Sequence, residues 1–309
     1  MRSLLFVPAD SEKKLGKAMS SGADALILDL EDSVSADNKP RARGLTQEFL
    51  AGIRKASSGT GHPIRPRLYV RINGLSTTYW QADLASLAGA MPDGVMLPKA
   101  ISGEHVHQLS VALGHAEEKS QTPSGATRII AIATEVAASV LQLPSYIGSS
   151  SRLAGLTWGA EDLAVELGSS ANREPDGSYT SPYRLVRDLT LITAAAAEVQ
   201  PIDTVYVDFR NGTGLALESS MAARDGFTAK MAIHPDQVGI INEAFTPSPA
   251  EIARAHAVIA AFRNSPGSGV VALDGAMLDR PHLLRAERVA ARASAAAVAP
   301  TNTTTKKEA

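Results

Sequence analysis

RIIAIATEV at 128–136 and RLAGLTWGAEDLA at 152–164 decide how the chain folds. Each opens with a short apolar run, 129–133 and 153–158, and each run stops in acid: Glu135 after Thr134, and Glu161 with Asp162 after Gly159. Apolar runs this short fit strands buried on both faces, as in a parallel sheet. In a parallel α/β protein the C-terminal ends of neighbouring strands share one rim, so Glu135 and Asp162 can meet there despite their separation in sequence. Two carboxylates with no Cys and few His nearby suit a hard cation such as Mg²⁺, with Mn²⁺ as a substitute and water and substrate oxygens completing the shell. A plainer reading has Glu135 in a helix first turn, complementing the dipole. Both readings stand on these residues alone.

Outward from this stretch the pattern repeats. A run at 4–7 is stopped by Pro8, and Ser11 can cap a helix carrying Glu12, Lys13, Lys14 and Lys17. Lys13 and Lys17 share a face, as solvated charges or as two cations for a polyphosphate over a barrel mouth. The run 25–28 ends in Asp29, Glu31 and Asp32, acids that repel one another unless cations or donors neutralise them. The run 67–72 carries Arg71 and Asn73 at its end; Arg71 suits bidentate carboxylate recognition, or a salt bridge to the acids just named. Further strands are expected at 94–97 before Pro98 and Lys99, at 204–207 before Asp208 and Arg210, and at 230–233 before His234. Helices are expected at 39–56, 184–199 and 249–262, with a polar segment at 169–182 as a lid or a plain surface loop.

Eight apolar runs alternating with helices, most ending in polar or charged residues, imply an α/β protein of the (β/α)₈ TIM-barrel type with its site at the C-terminal rim. The barrel is expected over 1–263. A Gly/Ser-rich link opens a C-terminal helical extension at 264–298, a lid packing on a neighbouring subunit, and 299–309 reads as a disordered tail.

Composition removes several function classes. The 309 residues are 44% hydrophobic and 5% aromatic with a formal net charge of −2, unlike the basic footprint of a nucleic-acid binder. The absence of cysteine excludes disulfides, thiolate metal sites and a Cys nucleophile. The start, MRSLLFVPAD, is too short in apolar residues for a signal-peptide core, and no run approaches a membrane span. A soluble, cytoplasmic protein with no membrane or nucleic-acid partner is expected.

Taken in order, RSLLFVPA, ALILDLEDSV, LYVRING, VMLPKA, ATEVAASV, GLTWGAEDLA, DTVYVDF, MAIHPDQVGIINEAFTPS and ALDGAMLDRPH resemble the HpcH/HpaI aldolase–citrate lyase family over about residues 2–290. They resemble specifically its citrate lyase beta-like, acyl-CoA lyase branch. The resemblance implies a (β/α)₈ barrel assembled as a trimer or hexamer. It implies Glu135 and Asp162 as Mg²⁺ ligands and Arg71 on the carboxylate of a 2-keto acid. Phe6, Lys13 and Lys17, with the backbone at Ile233 and His234, would hold coenzyme A. Asp279 would be the catalytic acid/base delivered from an adjacent subunit. Phe6 replaces a Tyr of certain relatives, Ala9 a Gly, and Ala276 a Lys, which removes a hydroxyl and a phosphate contact. The reaction implied is cleavage or formation of a malyl-CoA or citramalyl-CoA type substrate from a 2-keto acid and acetyl- or propionyl-CoA. Alternatives are a citrate lyase beta subunit acting on citryl carried by acyl carrier protein, a malyl-CoA-type thioesterase, a CoA-independent pyruvate aldolase, and a non-catalytic metabolite-binding barrel.

Overall fold

A computed structural model describes residues 1–56 and 65–297. The expected disordered tail at 299–309, residue 298 and most of the Gly/Pro-rich segment 57–66 lie outside them. Eight parallel strands close into a barrel: β1 Ser3–Pro8, β2 Ala25–Asp29, β3 Arg67–Arg71, β4 Gly94–Leu97, β5 Arg128–Ile132, β6 Leu153–Thr157, β7 Gln200–Asp203 and β8 Ala229–Ala232. Pairing of β1 with β8, Ser3 opposite Lys230, closes the ring. The connecting helices are α1 Glu12–Ala18, α2 Lys39–Ala56, α3 Trp80–Leu87, α4 Gly103–Ser120, α5 Ala137–Val140, α6 Ala160–Leu167, α7 Ser181–Ala196, α8 Gly212–Asp225 and α9 Pro235–Ala244. Beyond them come α10 Pro249–Arg263, the hairpin β9 Val270–Leu273 and β10 Ala276–Asp279, and α11 Arg280–Ala297.

Two-residue alternation sorts the strand side chains. Leu4, Ala25, Ile27, Tyr69, Met96, Ile130, Ile132, Ile202, Ala229 and Met231 fill the lumen. Their neighbours, among them Leu5, Leu26, Val70, Val95, Ile129 and Leu156, pack outward against the helices. Gly94 makes room for the lumen-filling Tyr69, since a Cβ there would lie 2.2 Å from that ring. The same parity carries Phe6, Asp29 and Arg71 into the top of the lumen, where Asp29 and Arg71 are register partners.

One strand lies four residues earlier than its apolar signal. The β-branched run 204–207 suggested the seventh strand, but β7 is Gln200–Asp203. Pro201 lacks a donor, which argues against a strand on sequence grounds. In a strand of four residues that loss is tolerated, and its carbonyl still accepts from the Thr228 N–H at 3.1 Å. Residues 204–207 become mouth loop, with Val205 packed on the lumen cluster. Asp203, not Asp208, therefore ends the strand. It is buried, bonded to Lys230 Nζ at 2.6 Å and to the Trp158 indole N–H at 2.9 Å.

The last elements form a module. Ala255 and Val258 of α10 share an apolar cluster with Val271, Leu278 and Ala286. The module starts at the foot of the barrel: the segment entering α10 holds Thr246, whose hydroxyl accepts from Arg2, just ahead of β1. A groove of about 700 Å³ runs between the end of α8, α10 and α11, lined by Arg224, Thr246, His282, Arg285 and Arg292 among others. No helix among the described residues is long and apolar enough to cross a membrane.

Candidate active site

The acids after β2, β5 and β6 converge at the mouth. Glu135 follows β5 and is 4% exposed. Its neighbour across the rim is Gly159, where a Cβ would come within 2.6 Å of Glu135 Cγ; only a glycine lets β6 approach this closely. Asp162, in the first turn of α6, is half-exposed. Glu135 is thus not a first-turn helix acid but a loop carboxylate ahead of α5. Burial pushes its carboxyl up to about 8, helped by the charges of Glu31 and Asp162 and opposed by the Lys99 N–H and Arg71. A cation beside it would reverse that direction.

Arg71 is 12% exposed and held on three sides. Its Nε and one terminal nitrogen donate to Asp29 at 2.7 and 2.6 Å, and its other terminal nitrogen lies 3.0 Å from Glu31 Oε2. Its guanidinium stacks over the Phe6 ring at 4.7 Å. Burial works against both charges, but the paired bonds outweigh it, lowering the Asp29 carboxyl and raising Arg71. The salt bridge expected as an alternative role is therefore present. It leaves a guanidinium fixed in plane with N–H groups still to donate.

Lys99, which follows β4, is the residue that sequence reasoning passed over. Its backbone is left-handed, φ 50°, and its N–H donates to Glu135 Oε2 at 2.5 Å. Its ammonium reaches Glu31 Oε1 at 2.5 Å, Asp32 Oδ2 at 3.1 Å and Asp162 Oδ1 at 3.6 Å. The signal was present as a charged residue directly after a buried strand, VMLPK.

The model for HpcH/HpaI aldolase/citrate lyase matches residues 2–235. The chain belongs to this family. It is 33% identical to the citrate lyase subunit beta of Leuconostoc mesenteroides subsp. cremoris, covering 95% of this chain and 93% of the relative. It is 34% identical to the (3S)-malyl-CoA thioesterase of Cereibacter sphaeroides, over 96% and 95%. CitE of Mycobacterium tuberculosis, in complex with magnesium, acetoacetate and coenzyme A, superposes with a TM-score of 0.75 at 34% identity, covering 95% of this chain and 98% of that one.

Within this HpcH/HpaI barrel the donor set fits Mg²⁺. Among the described residues no three His, Asp or Glu side chains form a complete ligand cage. Mg²⁺ does not need one, because it keeps several waters and takes one or two carboxylates plus substrate oxygens. Glu31 Oε2, buried and 3.0 Å from an Arg71 terminal nitrogen, adds negative charge beside the two candidate ligands.

The other expected residues fall into two groups. Lys13 and Lys17 are exposed on α1, after β1, and Ile233 and His234 precede α9, after β8. Because β1 pairs with β8, these flank one sector of the rim together with Phe6. The N–H groups of Ile233 and His234 both donate to Gln237 Oε1, at 2.8 and 3.2 Å, as part of a capping box. The His234 ring stacks on Phe209 at 4.7 Å, a partner that sequence reasoning did not single out. Asp279 stands apart from the mouth. It is exposed at the end of β10 and paired with His282 Nδ1 at 2.5 Å, which holds its carboxyl below the usual range. His282 lines the groove at the foot of the barrel.

Proposed function

We propose that the chain is a Mg²⁺-dependent carbon–carbon lyase that cleaves, or forms, a 3-hydroxy-carboxyacyl-CoA such as malyl-CoA or citramalyl-CoA. The products of cleavage are a 2-keto acid and acetyl- or propionyl-CoA. The observation that carries this reading is the convergence of Glu135 and Asp162 beside a pinned Arg71 at one barrel mouth. The magnesium, acetoacetate and coenzyme A of the M. tuberculosis CitE complex are the ligand classes it calls for.

Glu135 and Asp162 hold the metal. When bound, Mg²⁺ supplies Lewis acidity to the keto or hydroxyl oxygen of the substrate. Arg71, oriented by Asp29 and Glu31, directs its remaining N–H groups to the keto-acid carboxylate. Phe6 under that guanidinium walls the pocket, and Lys13 and Lys17 offer charge to the coenzyme A phosphates. With the N–H groups at 233 and 234 taken by Gln237, recognition in that sector falls to the Ile233 carbonyl, the half-buried His234 ring and the exposed Phe209. In cleavage a solvent water takes the proton of the substrate hydroxyl, the C–C bonding pair leaves with the thioester carbon as that oxygen becomes a carbonyl, and Asp279 delivers a proton to the resulting enolate carbon.

Asp279 does this from a neighbouring subunit in a homo-oligomer, trimer or hexamer. The support is its place beside His282 near the foot of its own barrel, whereas Glu135 and Asp162 lie at the mouth. Burial under a second copy would raise its carboxyl from the low range that His282 imposes, as an acid/base needs.

A product assay tests the reaction. The protein with Mg²⁺ is offered malyl-, methylmalyl- and citramalyl-CoA, and keto acid and free thiol are scored separately. Keto acid without thiol is expected. Thiol without keto acid would instead make it a thioesterase, the reading favoured by the Cereibacter relative. No turnover of free CoA esters, with activity on a carrier-protein thioester, would place it with the citrate lyase beta subunits.

A further inference from the structure

Lys99 joins acids that arrive from three different strands. Its main-chain N–H holds Glu135, while its ammonium spans Glu31, Asp32 and Asp162. Among the described residues it is the only cation in ion-pair range of Asp162. A φ of 50° is uncommon for a residue with a Cβ and persists where the surroundings impose it. Here the surroundings are the carboxylates themselves, which hold both ends of one residue. Arg71 does not substitute for it, since that guanidinium is paired with Asp29 and Glu31 and is in ion-pair range of neither Asp32 nor Asp162.

The ammonium and a divalent cation on Glu135 and Asp162 draw on the same negative field and repel each other. Glu31, Asp32, Glu135 and Asp162 gather around Lys99, so the ammonium cancels one of the negative charges that the metal would draw on. The carboxylate of an incoming 2-keto acid adds one negative charge and restores that loss. We propose that Lys99 is a resident counter-cation that competes with the divalent metal for this carboxylate cluster, so that tight metal binding waits on the anionic keto acid. The inference rests on the assignment of Glu135 and Asp162 as metal ligands. By linkage it runs both ways: the metal tightens the keto acid by the factor by which the keto acid tightens the metal.

The test measures Mn²⁺ binding to the full-length protein by the loss of the free-ion EPR signal, with and without oxalate as a planar dicarboxylate probe. Lys99→Met is expected to bind Mn²⁺ alone at least about ten-fold more tightly than the wild type, the scale of an ordinary coupling between sites. The extra tightening that oxalate gives the wild type is expected to shrink in this variant. Lys99→Arg, which keeps the charge, is expected to resemble the wild type, and Glu135→Gln to bind weakly throughout. Lys99→Gly, whose backbone suits this φ, gives the same sign should Met disturb the loop. A second readout is the Mn²⁺-induced rise in Tm, larger in the neutral variants than in the wild type because ligand stabilisation follows affinity. Neutral variants that bind Mn²⁺ no better than the wild type, while Glu135→Gln is weak, overturn the competition and leave the metal site standing. Wild-type protein that binds no Mn²⁺ with or without oxalate overturns the metal site and the inference together.

Discussion

Glu135 is buried against Gly159 and faces two other carboxylates, with one N–H and one guanidinium to offset them. Its native carboxyl therefore titrates near 8 rather than at the ordinary 4.5. A carboxyl raised on folding binds more protons native than unfolded, so stability falls as pH climbs from 4.5 to about 8 and this group costs nothing further above that. Glu135→Gln keeps the shape and an acceptor for the Lys99 N–H without the charge. In chelator the variant is expected to unfold at no lower temperature than the wild type, with an advantage that grows between pH 4.5 and about 8 and then levels. Its Mg²⁺-dependent turnover is expected to vanish. Melting curves across that range, with activity measured on the same samples, check both halves. A variant less stable than the wild type at pH 8 would mean that Glu135 is held by a favourable contact rather than crowded by like charges.

The foot of the barrel is tied at the level of elements. Glu117 near the end of α4 accepts from Arg152, ahead of β6, at 2.6 and 2.7 Å, and from the N–H groups of Gly125 and Thr127, ahead of β5. Burial works against its charge, but the Arg152 bonds and the backbone donors outweigh it and hold the carboxyl at about 2. A carboxyl lowered on folding stabilises above its unfolded value of 4.5, and the contribution is lost as pH falls towards 2. Glu117→Gln leaves the guanidinium of Arg152 buried without its counter-charge, a loss of about 3–5 kcal/mol at neutral pH. Urea unfolding at pH 7 reads that loss, and the variant is expected to show a flatter acid limb below pH 4.5 than the wild type. The hairpin belongs to this scale too. Asp274 and Gly275 have φ of 52° and 77°, as a two-residue type I′ connection requires.

At the scale of the whole molecule, the C-terminal module packs through α10 and begins at the foot of its own barrel. Asp279→Asn is expected to lower kcat by roughly 10²–10⁴, the range for a positioned general acid/base, with metal binding unchanged. Mixing Asp279→Asn with Glu135→Ala subunits, dissociated and reassembled, is expected to recover part of the activity. Some mouths would then pair an intact Glu135 with an intact Asp279. Each mutant taken alone through the same procedure is the control. Hybrids verified by mass that stay inactive would assign Asp279 to its own barrel or to no chemistry.

How much of this was legible beforehand follows from how local each signal is. Strand periodicity and terminal acids are written in consecutive residues, so the eight-stranded barrel, α2 at Lys39–Ala56 and the Ser11 cap were open to a reader of the sequence. The candidate carboxylates Glu135 and Asp162 were legible for the same reason, as polar stops to apolar runs. β7 was misplaced because a β-branched run outweighed Pro201, and only pairing with β6 and β8 resolves that contest. The Asp-Gly turn of the hairpin was legible but was read only as part of a motif. Lys99 was beyond a one-dimensional reading. Its meaning depends on a left-handed φ and on acids from β2, β5 and β6 closing around one ammonium, and charges so distant along the chain acquire a common field only when the barrel closes.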